Sequence, residues 1–174
     1  MTHSSEANAQ VTAPGPPHLR PRPYTDPDAQ SLLYHLHTEQ LALYGFADRI
    51  DDTPADDFDP PAGLFLVAYV DRQPVACGGW RRITPDQAEV KRMFVHPDLR
   101  GLGLGKRLLR QLEQDVLAAG LRAVRLETGR HNHHALRLYT AAGYEITAPY
   151  VPGRDPAINR ALWKRLEPPA HRHR

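Results

Sequence analysis

Glycine occupies three alternate positions, Gly101, Gly103 and Gly105, between an apolar run that ends at Val95 and a stretch in which Leu104, Leu108, Leu112 and Val116 recur every four residues. The four-residue recurrence marks one face of a helix, and the preceding run reads as a strand, so the glycines are the turn by which a strand enters a long helix. Missing Cβ atoms let several backbone N–H groups converge at the free amino end of that helix. Three glycines just inside a helix cost roughly 1 kcal/mol each against alanine, so something has to compensate. A pyrophosphate does so: the partial positive charge of a helix start and its unpaired donors favour it, and Arg100 and Lys106 add charge.

Counting separates this turn from two other phosphate motifs. A P-loop needs four residues between its glycines and a Ser or Thr after the lysine, whereas Gly101 and Gly105 enclose three and Arg107 follows Lys106. A dinucleotide fingerprint needs G-x-G-x-x-G and an acid about 20 residues on. Glu127 supplies the acid, but the glycine spacing departs from it, and a dinucleotide-binding enzyme stays a weak alternative.

Along the rest of the chain, residues 1–22 are rich in Pro, Ser, Ala and polar residues and are expected to be a disordered tail, although residues 18–24 could make a short first strand. A single domain is expected over 23–167, with a frayed tail over 168–174. Thr25 or Asp26 caps a helix over about 28–43, where Leu32, Leu33, Leu36 and Leu43 make its apolar stripe and Gly45 stops it. Residues 48–61 carry six aspartates and three prolines, a solvated loop or a funnel for a cationic acceptor. Period-two runs over 64–70, 74–82 and 88–95 predict an antiparallel meander. The glycine-led helix from Gly101 then closes at Gly120 and precedes a strand over 121–128, which predicts a right-handed crossover and a parallel pair. A helix over 132–142 and strands over 144–147 and 158–166 complete an α/β fold with a mixed, mostly antiparallel sheet flanked by helices.

The stretch Arg100, Gly101, Leu102, Gly103, Leu104, Gly105 resembles the signature of the GNAT N-acetyltransferases: Arg or Gln, two residues, Gly, one residue, then Gly or Ala. KRMFVHP before it and NHHALRLYTAAGY, Asn132 to Tyr144, after it resemble the family's flanking segments in order and separation. The resemblance is strong over 64–144. It implies acetyl-coenzyme A as acetyl donor, with Met93, Phe94 and Val95 along its acetyl and pantetheine portion. Arg100, Gly101, Leu102, Gly103, Leu104, Gly105 and Lys106 would surround the pyrophosphate, and Asn132 and Tyr139 would touch the cofactor arm. It also implies a sheet that splits after the strand ending at Val95.

Acetyl transfer to an amine needs a base, donors for an oxyanion and a proton for the departing thiolate. A backbone N–H of residues 93–95 can meet the oxyanion. Tyr139 is the expected acid, since ~10 for a phenol and ~8.5 for a thiol leave a gap that surroundings can close. Glu89 and Glu127 are the expected bases by resemblance. Glu127 is preferred because it ends a strand bordering a cleft, while Glu89 can pair with Lys91 on the same strand face. Cys77, the only cysteine, sits in an apolar run and reads as buried filler, so direct attack in a ternary complex is expected over an acyl-enzyme. His131, His133 and His134 do not set two imidazoles at i and i+4, so no metal is expected.

A formal net charge of +2 gives no basic face for nucleic acid, and the sequence has neither a secretory leader nor a run of about 18 apolar residues for a membrane. A cytoplasmic monomer or homodimer acting on a small-molecule amine or a peptide N-terminus is the expectation. The competing reading from another class is a non-catalytic acyl-coenzyme A sensor on the same fold.

Overall fold

The computed structural model describes residues 14–168. Strand β1 (His18–Pro21) leads into helix α1 (Pro27–Tyr44), followed by β2 (Gly63–Val70), β3 (Gln73–Arg82), β4 (Gln87–Val95), α2 (Leu104–Ala118), β5 (Ala123–Gly129), α3 (His133–Ala141), β6 (Glu145–Thr147) and β7 (Asn159–Arg165). The seven strands form one sheet in the order β1-β2-β3-β4-β5-β7-β6. Every neighbouring pair is antiparallel except β4 and β5, which α2 joins as a crossover. This is the mixed sheet expected from the sequence.

Alternation along the strands divides the core between the two faces of the sheet. Leu66, Ala68, Ala76 and Trp80 face α2 and pack with Leu108, Leu109 and Leu112. Phe65, Val67 and Cys77 face the other way, onto Leu32, Leu33 and Leu36 of α1. The four-residue recurrence in α2 is therefore a buried stripe. Asp26 caps α1, its side chain accepting from Asp28 N at 2.9 Å, and Gly45 ends it in the left-handed region at φ 74°.

Two boundaries differ from expectation. The disordered tail was placed at 1–22, but His18–Pro21 pairs with β2 from His18↔Tyr69 to Pro21↔Leu66, which fits the early strand and moves the tail's end back. Residues 1–13 and 169–174 of the two expected tails lie outside the described residues. Helix α2 starts at Leu104, not at Gly101, so of the three glycines Gly105 alone is helical. The helix propensity cost counted for three positions applies to one of them.

Candidate active site

Strands β4 and β5 are in register only from Gln87↔Ala123 to Glu89↔Arg125, although β4 runs on to Val95 and β5 to Gly129. Beyond that point they diverge. The divergence coincides with a bulge in the β3–β4 pairing, between Gly79↔Lys91 and Cys77↔Phe94, where Arg92 takes φ 63°. An extra residue on one strand bends and twists it away from its neighbour. Val95 and Phe94 keep β3 as their partner, so the opposite backbone edge of β4 is left facing the gap. A cavity of about 440 Å³ opens there, bordered by β4, the glycine turn, the end of α1, the start of α3 and residues 154–159.

At one end of this cavity the chain turns from β4 into α2. Gly101 and Gly103 sit at φ 79° and 83°, and a Cβ on either would meet no atom within 4 Å. Their requirement is backbone conformation rather than space. Gly105 is different: a Cβ there would meet Leu138 Cδ2 at 3.4 Å and Val95 Cγ2 at 3.6 Å. The first helical bond runs from Arg107 N to Gly103 O at 3.0 Å, so the N–H groups of residues 104–106 have no acceptor within the helix. Those unspent donors, with the Lys106 and Arg137 side chains lining the cavity, fit an anionic diphosphate.

The structure sorts the predicted binding residues. Met93, Phe94, Val95, Gly101, Gly103, Gly105, Lys106, Asn132 and Tyr139 all line the cavity. Leu102 and Leu104 do not: Leu102 is 74% exposed beside the turn and Leu104 is 5% exposed in the core, so these two offer backbone alone. Arg100 borders the cavity, but its Nε donates to Val95 O at 2.9 Å and its Nη2 to Glu39 Oε2 at 2.6 Å. Its charge is paired with Glu39. Asn132 caps α3, its Oδ1 accepting from Ala135 N at 3.1 Å.

At the other end stand the two predicted carboxylates, in unlike surroundings. Glu89 is 2% exposed, and both its oxygens are used: Oε2 accepts from Arg81 Nε at 2.9 Å and Oε1 from the Tyr150 hydroxyl at 2.8 Å. Lys91 Nζ lies 3.6 Å from Oε1, the pairing expected along the strand. Glu127 Oε2 accepts from Arg154 Nε at 3.0 Å, while its Oε1 is sealed from solvent with no partner. Burial pushes the Glu127 carboxyl above its ordinary range, against the opposing pull of Arg154. A carboxylate with one engaged oxygen and one spare is the better proton acceptor of the two.

Tyr139 is buried, edge-on to Tyr144 with ring centroids 5.8 Å apart. Burial pushes its phenol upward, so the surroundings widen the gap to a thiol that they were expected to close. Cys77 is fully buried, its thiol also pushed up by burial, as filler should be. What the sequence did not disclose is that Arg154 also binds Asp48, Nη1 to Oδ1 at 3.1 Å and Nη2 to Oδ2 at 2.7 Å. Asp48 opens the aspartate-rich segment read as a possible funnel for an acceptor, but a pair 106 positions apart leaves no local signal.

Comparison with known proteins agrees with this geometry. Residues 29–144 match the profile described as the Acetyltransferase (GNAT) family. An IAA acetyltransferase of Azospirillum brasilense is 43% identical over 94 residues, which are 53% of this chain and 61% of that protein. The match thus spans about three fifths of that relative's length. A provisionally assigned acyl-CoA N-acyltransferase from Klebsiella pneumoniae superposes with a TM-score of 0.74 at 26% identity, over 87% of this chain and 98% of that one. A GNAT acetyltransferase from Elizabethkingia anophelis, solved with acetyl-CoA bound, shares the fold at 17% identity and a TM-score of 0.61, over 86% of this chain and 98% of that one.

Proposed function

The chain belongs to the GNAT acetyltransferase family, and from that premise we propose that it transfers an acetyl group from acetyl-coenzyme A directly to a primary amine. The observation that carries this reading is one cavity that has unspent backbone donors at one end and a carboxylate with a spare oxygen at the other. Bound acetyl-coenzyme A supplies the acetyl group as a thioester. The donors of residues 104–106, with Lys106 and Arg137, hold its diphosphate, and the open edge of β4 at Met93–Val95 runs beside the cofactor arm.

At the reacting centre the amine nitrogen forms a bond to the carbonyl carbon, and the carbon–sulfur bond breaks. A backbone N–H of residues 93–95 donates to the oxygen on which charge develops, a dipole fixed in place before reaction. Glu127, which lines the cavity, takes the proton that the amine loses, directly or through one water. Tyr139 donates a hydrogen bond to the departing sulfur. Its raised pKa keeps it protonated at any working pH, so it always has a donor to offer, and the thiolate shares the same dry surroundings that weaken the phenol as an acid. Cys77 takes no part, because a fully buried thiol held in its neutral form is a poor nucleophile.

No helix among the described residues is long and apolar enough to cross a membrane, and the cytoplasm is our expectation for where the reaction runs. Calorimetry with coenzyme A, followed by a coenzyme A-release assay over a panel of primary amines, tests the proposal. Binding with turnover of at least one amine is the expected result. Binding with no turnover on any of them would replace the enzyme by a sensor, and no binding would remove both.

A further inference from the structure

Three side chains from distant parts of the chain meet over the acceptor end of the cavity: Asp48 from the α1–β2 connection, Glu127 from the end of β5 and Arg154 from the β6–β7 connection. Arg154 uses all three of its donor positions on the other two, its fork on Asp48 and its Nε edge on Glu127. A planar guanidinium satisfied on two sides has little freedom left, so whatever it holds is held in orientation as well as in charge. Its hold on Oε2 leaves Oε1 as the Glu127 oxygen with lone pairs to spare.

We propose that Arg154 is the positioning residue for Glu127, fixing which carboxylate oxygen is free and keeping the carboxylate ionised, with Asp48 as the counterweight that limits how strongly it does so. This rests on the reading of Glu127 as the base. A buried carboxyl with no cation beside it would hold its proton and be unable to take one from the amine. A carboxylate facing an unshared arginine would be ionised but weakly basic. Sharing Arg154 between two carboxylates sets Glu127 between those limits. The other ionisable groups acting on it are Glu89 and Lys91 on β4, whose opposite charges raise and lower its carboxyl respectively, with Tyr150 close by on the same loop as Arg154.

Carbon-13 NMR of glutamate labelled at the side-chain carboxyl, with the Glu127 signal assigned from Glu127→Gln, reads the group directly and without an acceptor. In Arg154→Gln the titration midpoint of Glu127 should rise, because a cation is removed. In Asp48→Asn it should fall, because Arg154 is then committed to Glu127 alone. Arg154→Lys, which keeps the charge but not the fork, should lie between wild type and Arg154→Gln. For an amine turned over by the wild type, kcat should fall at least about tenfold in Arg154→Gln and less in Arg154→Lys. A midpoint that stays put in both Arg154→Gln and Asp48→Asn, or moves the same way in both, while near-ultraviolet circular dichroism remains native, overturns the proposal. If Arg154→Gln does not fold, the direction of the Asp48→Asn shift decides alone. Should the midpoints split as expected while Glu127→Gln keeps full activity, the positioning stands and the assignment of the base is what fails.

Discussion

The two ends of the cavity are built from different materials. At the glycine end the working groups are backbone N–H groups, contributed by residues adjacent in sequence and held by the start of one helix. At the acceptor end they are side chains delivered from residues 48, 89, 127, 150 and 154, on four separate segments, held by one another's charges. The first end is fixed as soon as α2 folds. The second exists only when the whole sheet and both flanking connections are in place. Substitutions at the glycine end should therefore act on cofactor affinity, and those at the acceptor end on turnover.

Within the acceptor end, the two carboxylates offer the sharpest division. Glu127→Gln should lower kcat by about 10²- to 10⁴-fold, the range for loss of a positioned base. It should not lower stability. A carboxyl whose pKa is raised by folding is ionised at a cost above that raised value, and the cost disappears as pH falls below its ordinary range. The variant should thus melt at or above the wild-type temperature at neutral pH and converge with it in acid. Glu89→Gln should behave in the opposite sense. It removes the buried carboxylate shared by Lys91 and by Arg81, which keeps Asp57, at a cost of about 1–3 kcal/mol read as a lower melting temperature, with a smaller loss of kcat. Equal losses of kcat in the two variants would erase the distinction drawn between them.

At the glycine end, Gly103→Val places a β-branched residue at φ 83°, where the space is open and the backbone conformation is what resists. The strain is about 1–2 kcal/mol, relieved by moving the turn and its donors. KM for acetyl-coenzyme A should rise about tenfold, the equivalent of ~1.4 kcal/mol, with kcat changed little. Gly45→Val, equally left-handed at φ 74° and equally open, is the control. It should cost stability and leave KM for the cofactor alone.

This contrast also explains what could be read in advance. The turn, the crossover helix and the parallel pair were visible because each depends on spacings within about 40 residues: glycines at every second position, leucines at every fourth, and a strand on either side. Asn132 and Tyr139, expected from the family resemblance of their segment, line the cavity. The acceptor end resisted. Glu127 is preferred to Glu89 in the sequence as a strand end, but the partners that set the two apart in the fold lie 27 and 61 residues away. The same holds for Arg100: its neighbours in sequence suggest a phosphate ligand, and its pairing with Glu39, 61 residues away on α1, leaves no local signal.

Tyr139 lies between the two ends, on α3 and in contact with the core, and its predicted effect is intermediate. Since burial has raised its phenol, full proton transfer to the sulfur is less favoured than a hydrogen bond to it. Tyr139→Phe should accordingly lower kcat by about tenfold, the loss of one hydrogen bond in the transition state, and leave KM for acetyl-coenzyme A unchanged. A loss approaching that of Glu127→Gln would mean that the proton does move.

The smallest effect concerns the aspartate-rich connection before β2, read from sequence as solvated or as a funnel for cations. In the folded chain Asp48 is paired with Arg154, Asp57 with Arg81 at 2.6 Å and Asp51 with Arg49 at 2.8 Å. Paired charges act at a distance as dipoles, whose field falls off faster than that of the six separate carboxylates seen in the sequence. Raising salt from about 0.05 to about 0.5 M shortens the screening length severalfold and would suppress any long-range steering. With three of the six carboxylates paired, kcat/KM for a polycationic and for an uncharged-bodied amine should change by the same factor, within about twofold. A selective loss for the polycation would show that Asp52, Asp56 and Asp59, which carry no cation partner among the described residues, are enough to steer it.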